Sequence, residues 1–403
     1  MPVNYAEQYS RELANAYPYL SYYADLWGQG EAQRFRPHTG KTVFIPSMTT
    51  SGATAVNRDQ ITGVFDRNFS IEWEPAVLEM DREWSTLVDP MDMDETNEVA
   101  TIANITKTFN EQQKVPEMDA FMSGKLAGFA SAFGGVDTTS ITSANVLAMW
   151  DEYLSFMTEQ RVNRDRVLCK MTPSVYKLLK EAAGLSRFVE TTAGIRDIDR
   201  NVAKLDGVRI AEVPSDMMKT VYDFSSGWAI GNSAATADII MYDPSAIAAP
   251  IIYDTSMISA PTAQSKGRWL YYERYYYGAF MLNQRRAGVF AHLSAAPSLA
   301  SLTVKSVAGS AAGATTITAE GNGIGQSGFP NDGLAMYITS GNSAAPSVTY
   351  GAALPSSVTW TKVSGSPIAL TSQTAGKYAT VALVNALTGH AVAAGSAVEV
   401  VGT

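Results

Sequence analysis

Val115-Pro116-Glu117-Met118-Asp119-Ala120-Phe121-Met122 is the stretch on which the fold turns. Proline has no N–H to give a helix and is tolerated in its first turn, so Pro116 either restarts or kinks a helix here. Glu117 and Asp119 put negative charge where the helix dipole favours it. Met118, Phe121, Met122, Leu126, Phe129 and Phe133 then recur at helical spacing as one apolar face, and Gly134-Gly135 stops the run. Upstream, Val99, Ile102, Ala103 and Phe109 keep the same spacing. The spacing predicts one helical spine over residues 94–133.

Working back from the spine, Thr42-Val43-Phe44-Ile45-Pro46 and Phe69-Ser70-Ile71-Glu72-Trp73 are β-rich. The small polar stretch Ser47 to Ala55 between them has the composition of a loop tip. A two-stranded ribbon is marginal in water, so this one is expected to lean on another subunit. Residues 1–37 are polar, with Tyr17, Tyr19, Tyr22, Tyr23 and Trp27 offering aromatic area and little to pack on locally. Such a segment is either disordered or laid against a neighbour, and aromatic anchors favour the neighbour.

Working forward, residues 140–245 alternate helix and strand. Val146, Leu147, Trp150 and Leu154 mark an amphipathic helix, and Val208, Ile210 and Val213 one face of a strand. Thr172-Pro173 predicts an N-cap with proline at the first helical position, and Gly184 a C-cap. Residues 251–293 return to strand through the aromatic run Trp269 to Tyr277. Beyond Pro297 the only charged side chains are Lys305, Glu320, Asp332, Lys362, Lys377 and Glu399. Short β-runs between turn-rich joints predict a separate all-β sandwich or barrel over 298–403.

Composition narrows the function. The chain has 403 residues, 46% of them hydrophobic, enough for sizeable cores. Its net charge of −9 is the wrong sign for gripping phosphates, and the densest basic cluster, Arg161 to Lys170, is interrupted by Asp165. Cys169 is the only cysteine and sits in an apolar strand, as a core thiol would. His38, His292 and His390 lack metal-ligand spacing. No cofactor or metal is expected. No signal-peptide run opens the chain and no apolar stretch reaches transmembrane length, so a cytosolic product with no membrane partner is expected.

Three constellations invite chemistry, and each has a plainer account. Gly323-Ile324-Gly325-Gln326-Ser327-Gly328 matches a dinucleotide fingerprint, but Phe329-Pro330-Asn331-Asp332-Gly333 follows it as a turn where a helix is required. Asp89, Asp92, Asp94, Glu95 and Glu98 could hold a hard cation, but acids ahead of a helix are expected from the dipole alone. The aromatic run 269–277 could stack on bases or sugars, but strands favour aromatics for packing. Nucleophile-elbow, zincin, Walker and paired-cysteine motifs are all absent, and no enzymatic activity is expected.

Taken in order, the polar N-terminal segment, the ribbon, the Pro116-interrupted spine, Leu205-Asp206-Gly207-Val208-Arg209-Ile210-Ala211-Glu212-Val213-Pro214, Tyr242-Asp243-Pro244-Ser245-Ala246-Ile247-Ala248-Ala249-Pro250 and Tyr276-Tyr277-Gly278-Ala279-Phe280 resemble the major capsid proteins of tailed bacteriophages, with the HK97-type shell fold. The resemblance covers residues 1–293 and rests on the ordered combination. It implies an α+β chain with an N-terminal arm (1–37), an extended loop (38–75), a peripheral domain (76–139 and 246–297) carrying the spine helix 94–133, and an axial α/β domain (140–245). Residues 298–403 lie outside it. They are expected as an immunoglobulin-like sandwich projecting from the outer surface.

The same resemblance implies a homo-oligomer of pentamers and hexamers closing an icosahedral shell, assembled in the host cytoplasm. It implies double-stranded DNA contacted non-specifically, a portal protein, and a decoration protein in some relatives. Relatives that carry their own scaffolding segment place it ahead of the arm; this chain starts with the arm, so a separate scaffolding protein is expected. The loop Pro46 to Trp73 has no lysine, so covalent crosslinking is not expected. Tyr22, Trp27, Arg34, Arg36, Thr54, Asn57, Arg58, Arg67 and Trp73 are the candidate assembly contacts, the arginines as salt-bridge donors to neighbouring acids. Two alternatives stand beside this reading. One is an encapsulin-like compartment shell. The other is a non-enzymatic surface protein that binds through its β-domain.

Overall fold

In the computed structural model, which describes residues 21–27, 36–37, 41–50, 69–91, 102–182, 190–192, 195–197, 202–325, 328–330, 333–386 and 388–402, the spine is helical from Ile102 to Phe133. Ile102–Phe109 leads into a π-helical turn at Asn110–Lys114, and Val115–Phe133 follows. Helical dihedrals persist through Phe109 and Val115, and the Val115 N–H reaches Asn110 O, five residues back. That wider turn is how the helix passes Pro116 unbroken, since a proline ring clashes with the carbonyl four residues back. Gly134 ends it in the left-handed conformation, φ 82°. The residues of the expected spine before 102 lie outside the described ones.

The chain divides into two compact units, Met1–Ala14 with Ala24–Thr106 and Ile247–Gln284, and Asn15–Tyr23 with Lys107–Ala246 and Arg285–Thr403. The second unit is built on a six-stranded sheet in the order Val136–Asp137, Val289–Leu293, Ala237–Tyr242, Leu168–Met171, Val208–Glu212, Lys204–Leu205. Val289–Leu293, grouped by sequence with the segment 246–297, hydrogen-bonds to Ala237–Tyr242 inside this sheet. Cys169, Met171, Ile239, Met241 and Phe290 point to one face, where Trp150, Tyr153, Leu154 and Met157 of helix Val146–Glu159 and Val175 and Leu179 of helix Pro173–Glu181 complete a core. Burial pushes the Cys169 thiol well above its ordinary pKa, which leaves it inert. Lys170 and Ile240, paired across strands, point to the opposite face, on which the spine helix packs.

Thr172 takes the predicted N-cap position with Pro173 behind it, but its hydroxyl does not cap the helix. It meets Ser174 Oγ at 3.1 Å and lies 3.4 Å from the Asp238 carbonyl. The helix ends at Glu181, capped by Ala182, and Gly184 lies outside the described residues.

On the strand next to the edge of the sheet His292, 3% exposed, is held from two sides. Its Nε2 donates to the Thr139 carbonyl at 2.7 Å, and its Nδ1 lies 3.4 Å from Asp238 Oδ2. Asp137 is nearby and accepts from Tyr153 Oη at 2.6 Å. Burial alone would depress the His292 pKa, but the Asp238 and Thr139 hydrogen bonds and the two carboxylate charges raise it on balance.

Residues 300–398 form two sheets. One runs Ala300–Ser301, Ala391–Val398, Tyr378–Asn385, Leu334–Asn342, Thr361–Val363; the other runs Thr303–Ala308, Thr315–Glu320, Ile368–Leu370. Ile317, Ala319 and Ile368 from the second share one core with Met336, Ile338, Val381 and Leu383 from the first. In the glycine-rich motif Gln326 and Ser327 lie outside the described residues; on either side of them Ile324 bridges Pro330, and the Gly325 N–H donates to Phe329 O at 2.8 Å.

Phe133, the last residue of the spine helix, belongs to that same core. Asn385 Nδ2 donates to the Phe133 carbonyl at 2.8 Å, and Tyr350 Oη to Ser131 O at 3.0 Å, so two helix-end carbonyls find partners in the β-rich segment. Gly333 has φ 79°, and a Cβ there would fall 2.2 Å from the Phe133 ring. The composition shift at Pro297 therefore marks a change of content, while the packing runs on into the helix.

Two predictions follow from this unit. Phe133→Ala should cost about 3–5 kcal/mol. Hydrogen exchange at Leu334–Asn342 and Tyr378–Asn385 should report that loss, and unchanged protection there would refute the interlock. His292 has a raised pKa in the folded chain, so its contribution is complete below the unfolded value of about 6.5 and is lost as pH rises through the folded value. Thermal unfolding of wild type should weaken over that rise, and His292→Gln should flatten the dependence.

Candidate assembly interface

The first unit carries the ribbon. Thr42–Thr50 pairs antiparallel with Phe69–Val77 over nine residues, and Arg36–Pro37 adds a short third strand. Strand geometry puts alternate residues on one face. Phe69, Ile71, Trp73, Pro75 and Val77 therefore share a face, with Met48 directly opposite Ile71. Sequence alternation normally buries such a row. Here Met48, Ile71, Trp73 and Val77 are each between 47% and 59% exposed. A contiguous apolar row of this kind marks an interaction surface.

The ribbon is fixed at its base. The Leu78 N–H donates to Lys41 O at 2.8 Å, and Leu78 is buried. Lys41 Nζ lies 2.5 Å from Asp81 Oδ2, which also takes Arg274 Nη2 at 3.1 Å. Both cations lie over the Tyr276 ring, at 5.4 and 5.1 Å. The Arg274 hydrogen bond, against desolvation and with help from Lys41, holds the Asp81 carboxyl below the usual carboxylate range. These groups are solvated, so they fix direction more than they add stability. Further out, the Gln284 side-chain amide donates to the Met48 carbonyl.

Arg274 belongs to strand Trp269–Tyr277, the centre of a three-stranded sheet between Ile251–Ser259 and Met80–Val88. Tyr271, Glu273, Tyr275 and Tyr277 form its buried face. Tyr271 Oη donates to Glu273 at 2.9 Å, and Tyr275 stacks on Tyr277 at 5.9 Å. The aromatic run is thus used for packing on one face and is half-exposed on the other.

The sequence-predicted contacts fall into three groups. Trp73 is at the centre of the exposed row. Tyr22 and Trp27 are half-buried within the subunit: the Tyr22 N–H donates to Asp119 Oδ2 at 2.6 Å, and Trp27 meets Tyr277 edge-on at 5.5 Å. Arg36 lies in the short strand opposite Phe44. Arg34, Thr54, Asn57, Arg58 and Arg67 lie outside the described residues, as do the acids Asp92, Asp94, Glu95 and Glu98. Asp89 pairs with Arg268 at 3.1 Å. Sequence reasoning did not single out Ile71, Val77 or Met48. The signal was there in the alternation of apolar residues from Phe69 to Val77 on a strand with no covering element nearby in sequence. Among the described residues no His, Cys, Asp and Glu group is arranged to hold a metal, and no helix is long and apolar enough to cross a membrane.

No family model matches the chain, and no curated protein matches it. Solved structures do. The capsid of Cyanophage P-SCSP1u aligns over 72% of this chain and 92% of that one, with a TM-score of 0.52 at 11% identity. The mature capsid of bacteriophage PhiM1 aligns over 70% and 90%, TM-score 0.47 at 12% identity. A Mycobacterium phage Che8 chain aligns over 70% and 94%, TM-score 0.45 at 17% identity. The chain has the fold of the cyanophage capsid subunit, a mixed α+β fold with a long spine helix.

If the row is an interface, polar charge on it should block association and spare the subunit. Ile71→Asp with Trp73→Asp should change subunit stability by no more than about 0.5 kcal/mol, as exposed substitutions do. Circular dichroism and thermal melts check that part. Light scattering should show loss of high-mass species; undiminished assembly would remove the row from the interface.

Proposed function

We propose that this chain is the major capsid protein of a tailed bacteriophage, a non-enzymatic subunit of the icosahedral head shell. One observation carries the proposal: a fold shared with a cyanophage capsid subunit includes a ribbon whose apolar row is exposed in the single chain, where a second copy would cover it. Burying a large aliphatic or aromatic side chain is worth about 1.5–3 kcal/mol. A few per subunit, repeated around closed rings, give strong closure from weak contacts.

In this reading residues 1–37 are the arm, 38–75 the extended loop, 76–139 with 246–297 the peripheral domain, and 140–245 the axial domain. Tyr22, Trp27, Arg34, Arg36, Thr54, Asn57, Arg58, Arg67 and Trp73 are its candidate assembly contacts. The arginines pair with acids of adjoining subunits in rings of five and six. The net charge of −9 suits a shell that encloses double-stranded DNA without adhering to it. A separate scaffolding protein and a portal are the expected partners, with a decoration protein in some shells.

Residues 298–403 form an immunoglobulin-like domain on the outer surface in this proposal. Strand order supports it. With the strands from Thr303–Ala308 onward named A, B, C, C′, E, F and G in chain order, the sheets contain G-F-C-C′ and A-B-E, an immunoglobulin-type order without D. Ala300–Ser301, ahead of A in the chain, adds a short parallel strand beside G. The segment has no cysteine, so no disulfide joins its sheets. The part of the chain not aligned with the cyanophage subunit is about the share that 298–403 makes up.

Electron microscopy of the purified chain, alone and with a co-expressed scaffolding candidate, tests the proposal. Closed shells, or rings of five and six, with external knobs are expected. A monodisperse monomer at high concentration under both conditions would overturn it.

A further inference from the structure

Asp119 lies on the spine helix and is fully buried. An ionised carboxylate is rarely placed so deep unless donors surround it. Three of its donors come from one short segment far away in sequence. Ser21 Oγ donates to Oδ1 at 2.8 Å, the Tyr22 N–H to Oδ2 at 2.6 Å, and the Tyr23 N–H to Oδ1 at 3.4 Å. Two successive backbone N–H groups converging on one anion form a small nest, closed here by a hydroxyl. Tyr23 then enters the interior with no exposed surface. Its ring lies 6.3 Å from that of Tyr242, and Lys170 Nζ sits 5.7 Å above it.

We propose that Asp119 is the anchor of the N-terminal segment: its buried carboxylate, with Tyr23 as an aromatic plug, holds Ser21–Tyr23 on the spine helix. The polar and apolar halves are adjacent residues, so they release together. Lifting Tyr22 and Tyr23 strips Asp119 of two donors and exposes the Tyr23 ring in one movement. The root of the arm is therefore set by the subunit's own spine helix, before any neighbour binds. This anchor exists in a single chain and does not depend on whether the chain builds shells.

The substitution that isolates it is Asp119→Asn. Asparagine keeps the volume but turns an amide NH2 towards backbone N–H donors, so one contact becomes donor against donor. Chymotrypsin cleavage after Tyr22 and Tyr23 in the unassembled full-length chain, followed by mass spectrometry, reads the release. Proteolysis tracks the open population when reclosing is fast. Asp119→Asn should speed cleavage there by roughly tenfold or more, the factor implied by losing one hydrogen bond to a charged group. Cleavage within 102–182 should be unchanged. Ser21→Ala removes one donor and leaves the helix untouched, so it should give a smaller acceleration at the same two sites. If Asp119→Asn folds and is cut at Tyr22 and Tyr23 no faster than wild type, the anchor is refuted. If Asp119→Asn fails to fold, Ser21→Ala decides: no acceleration refutes the anchor, and a selective acceleration upholds it.

Discussion

A helix buried around most of its girth is the constraint on which the second unit depends. Between Pro116 and Phe133 the spine hides Phe121, Met122 and Leu126, but also Glu117, Asp119 and Ser123. Apolar residues there need only volume, whereas buried polar ones need partners in fixed directions. Asp119 is met by the segment Ser21–Tyr23. Phe121 meets Phe224 edge-on at 6.1 Å, which brings the hairpin 222–230 onto the helix. At its far end Phe133 completes the core of the two β-sheets. Segments remote in sequence are thus set in place by one element, and the helix could not be buried without them.

The first unit shows the opposite economy. Its ribbon leaves large apolar side chains in water while its base is tied down by Lys41, Asp81 and Arg274. A surface that costs solvation in the single chain, yet is held in a defined direction, is what association requires. Direction limits the entropy lost on binding, and exposed apolar area supplies the gain. No strong individual contact is called for when the same contact recurs around a closed assembly.

Much of this was legible in the sequence, for physical reasons. The spine could be read because Pro116, the apolar spacing and Gly134 are local signals. The ribbon strands could be read because β-rich runs flank a small polar stretch. The close pairing of Gly325 with Phe329 could be read because Phe329-Pro330 forbids the helix that phosphate binding needs. What could not be read is tertiary. Asp119 looked like a first-turn acid serving the dipole, and only the fold shows that it is buried under residues 21–23. Phe133 looked like one more residue of an apolar face, whereas it plugs a core assembled from Leu302 to Ala393, far along the chain. Thr172 carried the right residue for a cap, but a competing carbonyl on Ala237–Tyr242 drew its hydroxyl away. Tyr22 and Trp27 promised intersubunit contacts by composition, and most of their surface is taken by the subunit itself.

The central claim is that the apolar row of the ribbon is covered by a second copy of this chain. Oxidative footprinting of Trp73, read by mass spectrometry on assembled and unassembled protein, tests it most directly. The account predicts that Trp73 is oxidised readily in the free subunit and strongly protected after assembly, while the exposed Phe329 of the β-rich segment is labelled equally in both. Equal labelling of Trp73 before and after assembly would contradict it.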